Sequence, residues 1–163
     1  MKTIGIISDT HGVFDDTLRT FLNEVDEIWH AGDIGSIEIA DQIAAFRPLR
    51  AVHGNIDGGT TRVAWPRWAT FMCEDVKVLM THIGGYPGHY AEGVMSQILQ
   101  TRPQIFVTGH SHILRVGYDK KYNLLHVNPG AAGISGFHNV RTAIRLVIDG
   151  RDIKDMEVGE WPR

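Results

Sequence analysis

The run Val107-Thr108-Gly109-His110-Ser111-His112-Ile113 places two imidazoles two residues apart, where a β-branched apolar stretch stops. Four other places repeat the arrangement: Ser8-Asp9-Thr10-His11-Gly12, His30-Ala31-Gly32-Asp33, His53-Gly54-Asn55-Ile56-Asp57 and Thr81-His82. Together they offer seven donors: Asp9, His11, Asp33, Asn55, His82, His110 and His112. Carboxylate, imidazole and amide oxygen without thiolate suit borderline divalent ions such as Mn, Fe, Zn, Co or Ni. Seven donors exceed the need of one tetrahedral ion and fit two ions sharing a carboxylate. One such residue alone is most simply structural or solvated. Recurrence at five successive strand ends carries the metal reading.

The elements that must position these residues follow from periodicity. Thr3–Ser8 reads as a strand buried on both faces. Phe14, Leu18, Phe21, Leu22 and Val25 then share one helical face, with Asp15-Asp16 opening that helix. Glu27–His30 is a strand. Ser36 caps a helix that ends at Arg47, before Pro48, and Leu49–His53 is a third strand. This βαβαβ order predicts a right-handed parallel sheet. The intervals from Asp9 to Asp33 and from Asp33 to Asn55 are each about one helix plus one strand, so all three project from one edge, where open α/β sheets bind ligands. Beyond Val76–Met80, the helix Glu92–Gln100 and the strand Ile105–Val107, four strands follow without helices: Leu114–Tyr118, Leu124–Val127, Thr142–Ile148 and Asp152–Val158. Asp119-Lys120-Lys121 and Asp149-Gly150 are their turn signals. The chain reads as one α/β domain over residues 1–163, parallel first and antiparallel later.

Bulk properties narrow the function. A net charge of −3, from 16 basic and 19 acidic residues, predicts no stable nucleic-acid binding. One cysteine, Cys73, excludes an internal disulfide and a thiolate metal cage. No signal-type leader or membrane-length apolar run occurs, so the expected location is cytoplasmic, without membrane association. Trp65, Trp68 and Phe71 around Pro66 are expected to pack on the core rather than form an oligomer contact. His30 and His126, inside apolar strands, are expected to be hydrogen-bonded core groups or supports of the ligands, and His138 a loop residue.

Asp9-x-His11, Gly32-Asp33, Gly54-Asn55, His82 and Gly109-His110-x-His112, in this order, resemble the motif series of the calcineurin-like metallophosphoesterases. The length resembles their small stand-alone YfcE-type phosphodiesterase group, as does Asn128-Pro129-Gly130. The resemblance implies the metallophosphoesterase fold, a four-layer αββα sandwich of two mixed β-sheets flanked by helices. It implies that Asp9, His11, Asp33 and His112 bind one metal, and that Asp33, Asn55, His82 and His110 bind a second, with Asp33 bridging. Two divalent ions per chain are implied, Mn foremost, with Fe, Zn, Ni or Co as alternatives. The reaction implied is phosphodiester hydrolysis by a metal-bridging hydroxide, with Asn55 and His110 contacting the phosphate. The substrate would be a small phosphodiester or nucleotide-like molecule, and the family makes a homo-oligomer, dimer or tetramer, plausible.

Two departures from the family pattern matter. Many relatives carry a histidine where Ile56 stands, and isoleucine cannot protonate a leaving group, so diesters with good leaving groups are favoured over monoesters. Asp57, His53 and His89 are the candidate substitute acids. Thr81-His82-Ile83 also lacks a histidine common in relatives, and Gly84–Tyr90 reads equally as a substrate-contacting loop or a surface turn. The competing class is a non-catalytic metal-binding scaffold on the same fold, working through protein contacts like the related retromer subunit. A nuclease of the superfamily ranks below both.

Overall fold

The computed structural model describes residues 1–163. In chain order the elements are β1 (Lys2–Ile7), α1 (Asp16–Phe21), β2 (Glu27–His30), α2 (Ile37–Phe46), β3 (Leu49–Ala51), α3 (Gly59–Ala64), β4 (Trp68–Cys73) and β5 (Val76–Thr81). They continue with β6 (Gly85–Tyr86), β7 (His89–Tyr90), α4 (Val94–Thr101), β8 (Ile105–Val107), β9 (Leu114–Asp119), β10 (Leu124–Pro129), β11 (Val140–Asp149) and β12 (Asp152–Pro162).

Two five-stranded sheets form, ordered β12-β11-β1-β2-β3 and β4-β5-β8-β10-β9, with β6-β7 as a separate hairpin. Each is mixed. β1, β2 and β3 run parallel, as do β5, β8 and β10. Antiparallel strands complete the edges. The parallel half expected from the sequence is present; the later strands divide between the two sheets.

Alternation along the strands sets the layers. Ile4, Ile6, Trp29, Ile144 and Leu146 of one sheet meet Val78, Met80, Ile105, Val107 and Val127 of the other in a core of fully buried side chains. Ile7 and Ile28 face outward onto Leu18, Leu22 and Ile43 of the α1–α2 layer. Leu79 and Phe106 face the opposite way, onto Val94 and Ile98 of α4. The result is the four-layer αββα sandwich. No helix is long and apolar enough to cross a membrane.

Sequence periodicity gave no signal for α3, β4 or the β6–β7 hairpin. Phe71 of β4 packs on the central core, its ring 5.2 Å from Trp29. Trp68 packs on the α4 cluster and Trp65 on the Ile34–Ala40–Ala51 cluster, so all three aromatics pack on the core as expected.

Candidate metal centre

All five loops that carry the candidate ligands leave the carboxyl ends of β1, β2, β3, β5 and β8, and backbone hydrogen bonds bind them to one another. Asp9 N donates to Gly32 O (2.9 Å), His11 N to Asp33 O (3.0 Å) and Gly109 N to His82 O (2.9 Å). The Asp57 carboxylate accepts from the N–H groups of Ile34, Gly35 and Gly54, tying the third loop to the second.

The backbone at the site lies in a sparsely populated region. Asp9, His11, Asp33, His110 and His112 have φ between 45° and 73°, five of the nine non-glycine residues with positive φ. Such left-handed conformations cost an L-residue on the order of 1–2 kcal/mol each and persist where the surroundings over-determine them. Gly54 is there for contact: a Cβ would collide with Asp33 Oδ1.

Seven predicted side chains converge. Asp9, His11 and His112 form one trio, and Asp33, His82 and His110 another, each with its ligand atoms within 4.8 Å of one another. Asp9 Oδ2 accepts from Ser8 Oγ (2.7 Å) and from His110 N (3.1 Å). Its Oδ1 is left facing His112 Nε2 (3.2 Å), His11 Nε2 (3.7 Å) and His82 Nε2 (3.8 Å). Asp33 Oδ1 accepts from Ile56 N (3.0 Å), leaving Oδ2 between His82 Nε2 (3.2 Å) and His11 Nε2 (3.7 Å), one imidazole from each trio. Asn55 joins the second trio through its Oδ1, which accepts from His110 Nδ1 (3.0 Å).

The unused hydrogen bonds fit a cation. Asp9 Oδ1, His11 Nε2 and His82 Nε2 are buried without a hydrogen-bond partner, a costly state unless an ion completes them. Tautomers agree. His82 Nδ1 donates to Ala31 O (2.7 Å), which leaves the Nε2 lone pair facing the carboxylates. His138 Nε2 donates to Gly133 O (2.8 Å), so in a neutral pair its Nδ1 accepts from His112 Nδ1 (3.1 Å), and His112 Nε2 is the nitrogen left for an ion, or for a proton shared with Asp9 when no ion is bound. His138 is therefore more than the loop residue expected. No spacing rule in the sequence points to it; the link exists only because Gly136 lets the 133–138 loop approach His112.

Charge in the cluster is shared. Burial opposes ionisation of Asp9, but His11 and His112 outweigh it and hold the carboxyl well below the usual range. Asp33 is likewise lowered by His82 against its burial. Asp9 raises His11 above its ordinary value, and Asp33 raises His82 in spite of burial. His30, fully buried, is pushed down to about 4 by burial. Its Nδ1 accepts from Gly32 N, so Nε2 donates to Thr10 Oγ1 (2.9 Å), supporting two ligand loops.

The candidate acids fare differently. Asp57 is 2% exposed and occupied by three backbone N–H groups. His89 is exposed on the hairpin, against Tyr86. His53 lines a cavity of about 280 Å³ with Asn55 and His82, its Nδ1 donating to Trp65 O (2.7 Å). A larger cavity, about 580 Å³, lies over the centre, lined by His11, Asp33, His110 and His112 and by Ile56, Ile113 and Phe137.

The calcineurin-like phosphoesterase superfamily domain matches residues 1–151. A probable metallophosphoesterase of Methanothermobacter thermautotrophicus is 26% identical over 160 residues, covering 95% of this chain and 90% of that protein. A structure described as a novel archaeal phosphodiesterase superposes with a TM-score of 0.73 at 21% identity, covering 96% and 99% of the two chains. Vps29 from Entamoeba histolytica in complex with zinc superposes with a TM-score of 0.76 at 15% identity, covering 98% of each. At these identities the two structures establish a shared fold.

Proposed function

Because the chain belongs to the calcineurin-like phosphoesterase superfamily, we propose that it is a metal-dependent phosphodiesterase with a dinuclear centre, residues 1–163 acting as one domain in the cytoplasm. Asp9, His11, Asp33 and His112 would hold one ion, and Asp33, Asn55, His82 and His110 the other. The observation that carries this reading is Asp33 Oδ2, set between a nitrogen of each trio. Two divalent ions, manganese foremost, would supply a water acidic enough to attack phosphorus at neutral pH and would offset charge on the phosphate oxygens.

The chain's own residues do the rest. Asn55 and His110, both exposed over the centre, would orient the phosphoryl oxygens. Ser8 and the His110 amide fix the rotamer of Asp9, and Ile56 N that of Asp33. Ile56, half exposed, supplies no proton to the leaving group. Of the three candidate acids, His53 is the best placed: it lines the cavity beside Asn55 and its Nδ1–H is held by Trp65 O, so the acid would be the imidazolium, giving its Nε2 proton to the departing oxygen and leaving a neutral ring. The intact donor set favours catalysis over the scaffold reading.

The test is hydrolysis of bis-p-nitrophenyl phosphate and p-nitrophenyl phosphate by metal-stripped protein with Mn, Ni, Co, Zn or Mg restored. Diesterase activity should return with metal and fall by orders of magnitude in Asp33→Ala. His53→Gln should slow alkyl esters, which need an acid, more than p-nitrophenyl esters, which do not. Folded, metal-loaded protein without activity would move the assignment to the scaffold.

A further inference from the structure

The cavity beside His53 has a charge that the hydrolytic centre does not require. Arg62 and Arg67 line it together with Asn55 and His82, and no carboxylate does. Neither Arg62 nor Arg67 has an ion-pair partner within 4.0 Å; of the eleven arginines only Arg50, Arg141 and Arg145 do, so what sets these two apart is that they share one concavity.

Neither guanidinium is neutralised, and that of Arg62 is held in place. Arg62 Nε donates to Asp57 O (2.7 Å) and Nη2 to Gly54 O (3.2 Å), the two carbonyls flanking the Asn55 turn. A guanidinium has five N–H groups, so three remain to offer, and carbonyl acceptors leave its charge intact. Arg67 immediately precedes Trp68, the register partner of Thr81, and its carbonyl accepts from Thr81 Oγ1 (3.0 Å). Its backbone is thereby anchored beside the His82 turn, with the side chain lining the cavity. Two unneutralised guanidinium groups in a concave site are suited to bidentate capture of a phosphate-type anion.

Asn55 lines both this cavity and the larger one, whose apolar lining is Ile56, Ile113 and Phe137. A phosphoester seated at Asn55 and His110 would thus meet apolar surface on one side and cationic surface on the other. We propose that the Arg62–Arg67 cavity is a second anion subsite, and that the preferred substrate is a phosphodiester carrying a further phosphate group on one arm. The substrate assignment rests on the phosphodiesterase reading; the subsite does not.

The binding test uses metal-stripped protein titrated with inorganic phosphate, followed by tryptophan fluorescence, since Arg67 Cζ lies 5.8 Å from the Trp68 ring. Saturable binding is expected, retained in Asp33→Ala and weakened roughly ten- to a hundredfold in Arg67→Ala, the range for losing a charged hydrogen bond. Arg62→Lys, which keeps charge and loses the fork, is the second variant and should also weaken it. Absence of saturable binding, loss in Asp33→Ala, or indifference to both arginine variants would each overturn the subsite. The substrate test compares two alkyl p-nitrophenyl phosphodiesters in the metal-restored enzyme, one alkyl arm ending in a phosphonate and the other in a methyl group. A lower KM for the phosphonate ester, with the preference collapsing in Arg67→Ala, is expected; equal KM values would overturn the substrate class. Phosphate binding without any hydrolysis would retain the subsite and defeat the enzyme reading instead.

Discussion

His138 acts on the centre through a proton it never transfers to substrate. Its bond to Gly133 O fixes its own tautomer, which fixes that of His112 and points the lone pair at Asp9. Supports of this type are worth tenfold to a hundredfold in metal affinity. His138→Ala is expected to weaken metal binding by about that factor while leaving the fold intact, as read by calorimetric titration with Mn²⁺. The same side chains set a pH dependence. His11 and His82 are raised above the ordinary 6.5 by Asp9 and Asp33. In metal-stripped protein their protonated forms therefore contribute stability that is complete below pH 6.5 and is lost as pH rises through the raised values. Metal must displace those protons, so binding should release protons, more per ion below pH 6.5 than well above it. Calorimetry in buffers of different ionisation enthalpy reads the difference; a proton count independent of pH would contradict it.

At the scale of the elements, α1 shows how a short helix is held. It has six residues, too few to persist alone, and Asp15 caps it by accepting from Leu18 N. Arg141 of β11, nearly buried, grips the same carboxylate through both nitrogens at 2.9 and 3.0 Å. Asp15→Ala should cost more than the roughly 1 kcal/mol of an ordinary cap, because it also strands Arg141. Asp15→Asn keeps the cap and should cost less, as urea melts would show. Arg141 lowers the Asp15 carboxyl, so its stabilisation is present above pH 3.8 and disappears as pH falls through the lowered value.

Much of this element structure was legible in the sequence. Ser36 before an apolar helical stripe, Pro48 after it and the β-branched strands all state their fates locally. The convergence of the seven candidate ligands was legible too, because each lies in a loop that leaves the carboxyl end of a strand. What stayed hidden depends on partners distant in sequence. β4 is an edge strand whose alternation is blurred by half-exposed residues. α3 begins at Gly59 with no side-chain cap. The Gly84–Tyr90 run, balanced between loop and turn, is a small hairpin whose Tyr86 carries Arg115 at 3.9 Å from its ring centroid.

For the whole molecule, one core joins the two sheets and the candidate metal ligands come from both. Residues 1–163 are therefore expected to unfold in a single cooperative transition with coincident fluorescence and circular-dichroism midpoints. Saturating metal should raise that midpoint, by about 2.7 kcal/mol of stabilisation at a hundredfold excess over Kd. Two separated transitions would refute the single unit. The left-handed backbone at Asp9, His11, Asp33, His110 and His112 has a consequence for the history of such chains. Glycine would relieve strain at all five positions but at Asp9 and Asp33 would also give up the bonds from Ser8, His110 N and Ile56 N, so a lineage selected for robustness alone would drift first at His110 and His112. Laboratory evolution for heat resistance, run without an activity screen, should erase those two histidines before the carboxylates or the core.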